Sequence, residues 1–174
     1  MREMAAGISN DSTLAPTARA RERFWANVVK GPDDEQTGRV SCWFWVGPIS
    51  TPDGYGRISW QENKQRRTLS AHRFALLLDS GEELEPGLIG EHACCEPLCV
   101  RVHEKHLRVA TQAENIQYAA FRGRAAGFRS PGVAVTRAER SFAIRAALSH
   151  GWDSDALAAA RDGIVLDKQQ LRLW

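Results

Sequence analysis

Glu91-His92-Ala93-Cys94-Cys95-Glu96-Pro97-Leu98-Cys99 opens a stretch that continues Val100-Arg101-Val102-His103-Glu104-Lys105-His106-Leu107 and closes on Thr111-Gln112-Ala113-Glu114-Asn115. Three of the four cysteines and three of the five histidines lie between His92 and His106. Thiolates and imidazoles at that density read first as a metal site, because sulfur and imidazole nitrogen are the donors zinc prefers. Cys94, Cys99 and His106 bracket a Pro-containing loop, a spacing that lets two thiolates and one imidazole close on a tetrahedral, structural zinc. His92 ends the apolar run Gly87-Leu88-Ile89-Gly90 and is expected at the tip of a strand, pointing away from the first thiolate. Thr111 and Glu114 have the spacing of a capping box, which puts Asn115 in the first turn of a helix. Strand, metal loop, second strand over Leu107-Arg108-Val109 and capped helix form a ββα unit that brings one His and one Asn together.

The run His92-x-Cys94-x4-Cys99, His106-Leu107, Asn115 resembles the HNH, or ββα-metal (His-Me finger), nucleases, and most closely the His-Cys box branch of homing-type endonucleases. The resemblance implies that His92 is the general base, that Asn115 binds a catalytic divalent cation, Mg2+, and that Cys94, Cys99 and His106 hold Zn2+. Upstream, Cys42-Trp43-Phe44-Trp45 followed by Asp53-Gly54-Tyr55-Gly56-Arg57-Ile58 resembles the opening strands of that family, which makes Cys42 the fourth zinc ligand and Arg57 a phosphate-binding residue. Ala71-His72-Arg73 resembles the helix that follows and puts His72 beside the active site; His72 reads equally well as a core histidine. The likeness runs from about Cys42 to Ile116. The chain departs from it between Cys99 and His106, where a longer insert offers two histidines. His106 is preferred, because Leu107 follows it and it keeps the family's separation from Asn115; His103 is the rival ligand.

The fold class expected is therefore α+β, a ββα-metal core of antiparallel strands stapled by one zinc, with a helical C-terminal appendage. The divisions are a disordered N-terminus over 1–16, a nuclease domain over 17–121, a basic linker over 122–135 and a small helical module over 136–174. A net charge of +2 on 174 residues does not argue for nucleic acid by itself, so the distribution of charge has to. With no long apolar segment and no charged-then-apolar leader in view, neither a membrane span, a signal peptide nor a membrane partner is expected, and the cysteines then read as metal ligands in a reducing cytoplasm. Thr17 to Lys30 is expected as a helix with Phe24, Trp25, Val28 and Val29 on one stripe, stopped by Gly31-Pro32.

Cys42 to Ser70 reads as antiparallel strands broken near Pro48 to Gly54 and at Glu62-Asn63. Alternation sets Tyr55, Arg57, Ser59 and Gln61 on one face and Ile58 and Trp60 on the other. Gln61, Lys64, Arg66 and Arg67, with Arg73 on the next helix, form the charge a β-ribbon needs in a DNA groove; a solvated hairpin is the plainer reading. Arg122 and Arg124 add basic charge to the linker without compensating acids. Thr136-x-x-Glu139 opens a further helix, and pieces over Asp155–Arg161 and Leu166–Trp174 suggest a helix-turn-helix-like module, or alternatively a helical cap or dimer arm.

These expectations add up to a metal-dependent endonuclease of double-stranded DNA that leaves a 5′-phosphate and a 3′-hydroxyl, acting as a homodimer so that each strand meets one site. Two other classes stand beside it. A non-catalytic zinc-stabilised DNA-binding protein would need Cys42, Cys94, Cys99 and His106 but neither His92 nor Asn115. A redox or zinc-sensing regulator would use the adjacent pair Cys94 and Cys95.

Overall fold

Phe24 has no exposed surface, and the rings of Phe74 and Trp45 lie 5.1 and 5.4 Å from it. Truncating an aromatic side chain in such a position costs about 3–5 kcal/mol. The computed structural model describes residues 15–62, 64–121 and 136–161, and around this aromatic centre it folds five helices and three two-stranded antiparallel sheets into an α+β structure.

Helix α1 (Ala18–Ala26) carries Phe24 and is capped by Thr17, whose side-chain oxygen accepts from the Ala20 amide. It stops at Asn27, and Val28–Lys30 leave as strand β1, antiparallel to β2 (Trp43–Trp45). This corrects the expected helix through Lys30. β-branched Val28 and Val29 lose side-chain freedom in a helix and fit a pleated pair. Trp25, expected on the buried stripe, is 43% exposed; it meets Trp43 edge-on, and the Lys30 ammonium lies over both rings.

Strands β3 (Arg57–Glu62) and β4 (Gln65–Ser70) form a hairpin whose buried face carries Ile58 and Trp60. Helix α2 (Ala71–Ser80) follows at once and buries Ala71, Phe74, Ala75, Leu76 and Leu77 against the core. Strands β5 (Leu88–His92) and β6 (Leu107–Thr111) pair antiparallel, with His92 opposite Leu107, and β6 runs directly into α3 (Gln112–Phe121). The expected capping box is present: the Glu114 carboxylate accepts from the Thr111 amide at 2.7 Å, and the Thr111 hydroxyl accepts from the Glu114 amide at 3.2 Å.

Helix α4 (Arg137–Ala147) also begins with a complete capping box, Thr136 with Glu139, and α5 spans 154–161. The two are not set apart from the rest of the chain. Ile144, Leu148 and Leu157 belong to the same buried cluster as Phe24 and Phe44, and Trp152 packs on Phe44 at 6.1 Å. Buried Glu96, in the loop after β5, accepts from Arg140 and from Arg161, each at 3.1 Å. One carboxylate thus ties both helices to that loop. The N-terminal residues to 14, the Arg122 and Arg124 stretch and the expected final helix lie outside the described residues. Among the described residues no helix is long and apolar enough to cross a membrane.

Candidate metal centre and adjoining cleft

Four side chains from three parts of the chain converge behind β5 and β6. Cys42 enters from the residue before β2, Cys94 and Cys99 from the loop after β5, and His106 from the residue before β6. Their ligand atoms all lie within 4.8 Å of one another, so this Cys3His group can hold a metal such as zinc. The ring geometry fits that ion. His106 Nδ1 is 3.4 Å from Cys42 Sγ and 3.7 Å from Cys99 Sγ, and bond lengths of about 2.3 and 2.05 Å at a tetrahedral angle give a sulfur-to-nitrogen edge of about 3.6 Å. On its other side His106 donates from Nε2 to the Val40 carbonyl at 3.0 Å, the outer contact that fixes a ligand imidazole in the right tautomer.

The electrostatics of the thiols agree. Hydrogen bonds from Cys42 and Cys99 hold Cys94 well below the usual thiol range. The bond to Cys94 pushes the Cys42 thiol up. At Cys99 the bond to Cys42 pulls downward, but the bond to Cys94 and burial outweigh it and push that thiol up. Three thiols crowded around shared protons would release them to solvent if the group held a divalent cation. His103 lies outside the group; its Nδ1 accepts from the Lys105 amide, and its ring sits 5.8 Å from that of His106. Cys95, with a positive φ of 62°, turns its sulfur to the Ala93 carbonyl instead.

A cleft of about 440 Å³ borders the same loop, lined by His72, His92, Asn115, Tyr55, Glu91 and Arg137 among others. His92 stands at the end of β5 as expected and donates from Nε2 to the Cys99 carbonyl at 2.9 Å. In the neutral ring this makes Nδ1 the basic nitrogen. Asn115 occupies the first turn of α3; Tyr118, on the same face three residues on, donates its hydroxyl to the Ala93 carbonyl at 2.9 Å and so fastens that face to the metal loop. His72 packs with its ring 5.0 Å from His92 and 4.9 Å from Tyr55. Gly90 permits this approach, since a Cβ there would lie 3.0 Å from His72 Cδ2. Burial, with the charges of His92, Arg73 and Arg57 adding to it, pushes His72 down to about 3. It is a neutral imidazole, hydrogen-bonded with Ser70 Oγ at 3.3 Å.

The other expected contacts divide. Arg57 is half-buried and paired with Asp53, outside the lining of the cleft. Gln61 and Arg66 face each other across the hairpin and are exposed, and Lys64 stands at its turn with a φ of 64°. Arg67 is on the opposite face, over the Trp60 ring and paired with Glu83. Arg73 is exposed on the first turn of α2. Two cleft residues were not anticipated. Glu91 is buried and accepts from Arg108 at 2.7 Å, while its second carboxylate oxygen has no partner among the described residues; its place beside His92 in sequence was a signal. Arg137 arrives from 22 residues beyond Asn115, and no local pattern marks it. Compared with models of protein families, with curated proteins and with solved structures, the chain matches none.

Proposed function

We propose that the chain is a metal-dependent DNA endonuclease with a ββα-metal core, in which the zinc group holds the loop and the cleft beside it performs phosphodiester hydrolysis. The observation that carries this reading is the shared cleft of His92 and Asn115, with His92 fixed through Nε2 to the backbone of a metal-loop cysteine. A hydrolase of this kind needs both a base and a hard oxygen donor, and this cleft is lined by one of each.

His92 accepts a proton from water at Nδ1. An imidazole suits this because its ordinary pKa lies near neutral pH, which keeps it unprotonated and still basic. Asn115 offers an uncharged carboxamide oxygen, a hard donor that suits Mg2+. The cation, when bound, supplies offsetting positive charge to the phosphate and the leaving oxygen. Neutral His72 packs beside His92 without adding charge. The exposed hairpin residues Gln61, Lys64 and Arg66 give the duplex a polar, positive surface. The bonds made and broken leave a 5′-phosphate and a 3′-hydroxyl, and a homodimer would present one cleft to each strand.

Incubation of supercoiled plasmid with the protein and Mg2+ tests the reading. Nicked and linear products that EDTA suppresses are expected. An intact plasmid under all divalent cations returns the chain to the alternative, a zinc-stabilised DNA-binding protein without chemistry.

A further inference from the structure

Arg137, on the first turn of α4, is the one residue lining the cleft that carries a fixed positive charge among those described. Its guanidinium lies over the Tyr55 ring at 5.0 Å, and Tyr55 in turn stacks 6.0 Å from His92. Of the other arginines near this region, Arg57 is engaged by Asp53, Arg108 by Glu91, and Arg140 and Arg161 by Glu96, while Arg73 is exposed on α2 and outside the lining of the cleft. Among the described residues no carboxylate pairs with Arg137. The seating of α4 is equally specific. Gly54 has a φ of +71°, and a Cβ there would lie 2.7 to 2.8 Å from the Arg137 and Ala138 backbone, so only glycine lets the helix start this close to Tyr55. The helix's leading amides are partly taken by its own capping box, and the guanidinium is the charged donor in the lining of the cleft able to receive an anion.

We propose that Arg137 is a substrate-positioning residue that binds a phosphate of the nucleic-acid backbone in the cleft, so that α4 is a wall of the active site and not an appendage to it. The inference rests on the nuclease reading for the identity of the anion. An arginine held over an aromatic ring loses less freedom on binding, and its N–H fork matches phosphate oxygens in pairs.

The test has two arms. Equilibrium binding of a duplex in Ca2+ is measured over a salt series for the wild type, Arg137→Ala and Arg137→Lys; steady-state cleavage in Mg2+ is measured for the same three. Arg137→Ala is expected to raise Kd and KM about ten- to hundredfold, to reduce the log–log salt slope by about 0.9, and to leave zinc content and thermal unfolding unaltered. Arg137→Lys should restore the slope and only part of the affinity. Unchanged Kd, KM and slope in Arg137→Ala would overturn the proposal while leaving cleavage by the wild type to support the nuclease reading. If the wild type binds DNA without cutting it, the nuclease reading fails and the salt slope alone decides for or against Arg137; a wild type that does not bind DNA overturns both.

Discussion

His92 and Cys99 are joined by a hydrogen bond of 2.9 Å from the imidazole Nε2 to the backbone carbonyl. The residue proposed as base is therefore oriented by the chain of a residue in the metal group. Stripping the metal should loosen the cleft as well as the fold. Zinc is expected at one ion per chain, lost on substitution of Cys42, Cys94, Cys99 or His106 and retained in His103→Ala and Cys95→Ser. Structural zinc sites contribute about 10–16 kcal/mol of apparent binding free energy, so the four ligand variants should also unfold at far lower temperature. Elemental analysis with thermal melts checks this, and full zinc content in Cys42→Ser would contradict it.

The pH dependence of stability should report His72. Its pKa is lowered by burial in the folded chain to about 3, against an ordinary value of 6.5. Between those values the unfolded chain holds the extra proton, so the contribution is complete above pH 6.5 and is lost as pH falls toward 3, by up to about 1.4 kcal/mol per pH unit. His72→Asn cannot charge. Its denaturant midpoint should fall less steeply than the wild type's from pH 6.5 to 4, and parallel curves would mean that His72 is not shielded as described.

Much of the site was legible in the sequence because it is local. Cys94, Cys99, His106, His92, the capping box and Asn115 fall in one continuous run of 25 residues, where turn chemistry and strand alternation bear on their relative places; Cys42 is the one member of the metal group that comes from outside it. Long-range placement was not legible. The stripe of Phe24, Trp25, Val28 and Val29 fits helical spacing, yet β2 claims Val28 and Val29 as strand partners. Arg66 and Arg67 look alike as letters, and one residue of register sends them to opposite faces. The Arg-Gly-Pro stretch after Phe121 suggested a boundary, but Ile144, Leu148 and Leu157 complete the core. Nothing near Arg137 or Glu96 in sequence announces the partners that give them their roles.

That division of the hairpin makes a prediction of its own. Lys64→Ala with Arg66→Ala should lower the salt slope of DNA binding by up to about 0.9 per residue, with little change in stability. Arg67→Ala should leave the slope alone and reduce stability by about 1 kcal/mol, through loss of the Glu83 pair and the Trp60 contact. A slope moved equally by both would mean that the two faces do not act separately.

Glu96 supplies a test of how far the C-terminal helices belong to the core. The carboxylate is buried and its two arginine partners are half-exposed. Glu96→Ala removes the contact that ties both helices to the loop and should destabilise the chain by about 1 kcal/mol, because the half-exposed guanidinium groups left behind keep their hydration. Limited proteolysis should then cut first within α4 or α5. Unfolding of wild-type α4 in a separate, earlier transition would contradict the shared core.

Replacement of His92 is the direct test of the nuclease account. His92→Ala, assayed on plasmid DNA in Mg2+ beside the wild type, should lose about 10²–10⁴ in cleavage rate while keeping one zinc per chain and its affinity for DNA. Cleavage by His92→Ala at the wild-type rate would contradict the account, whatever the zinc measurements gave.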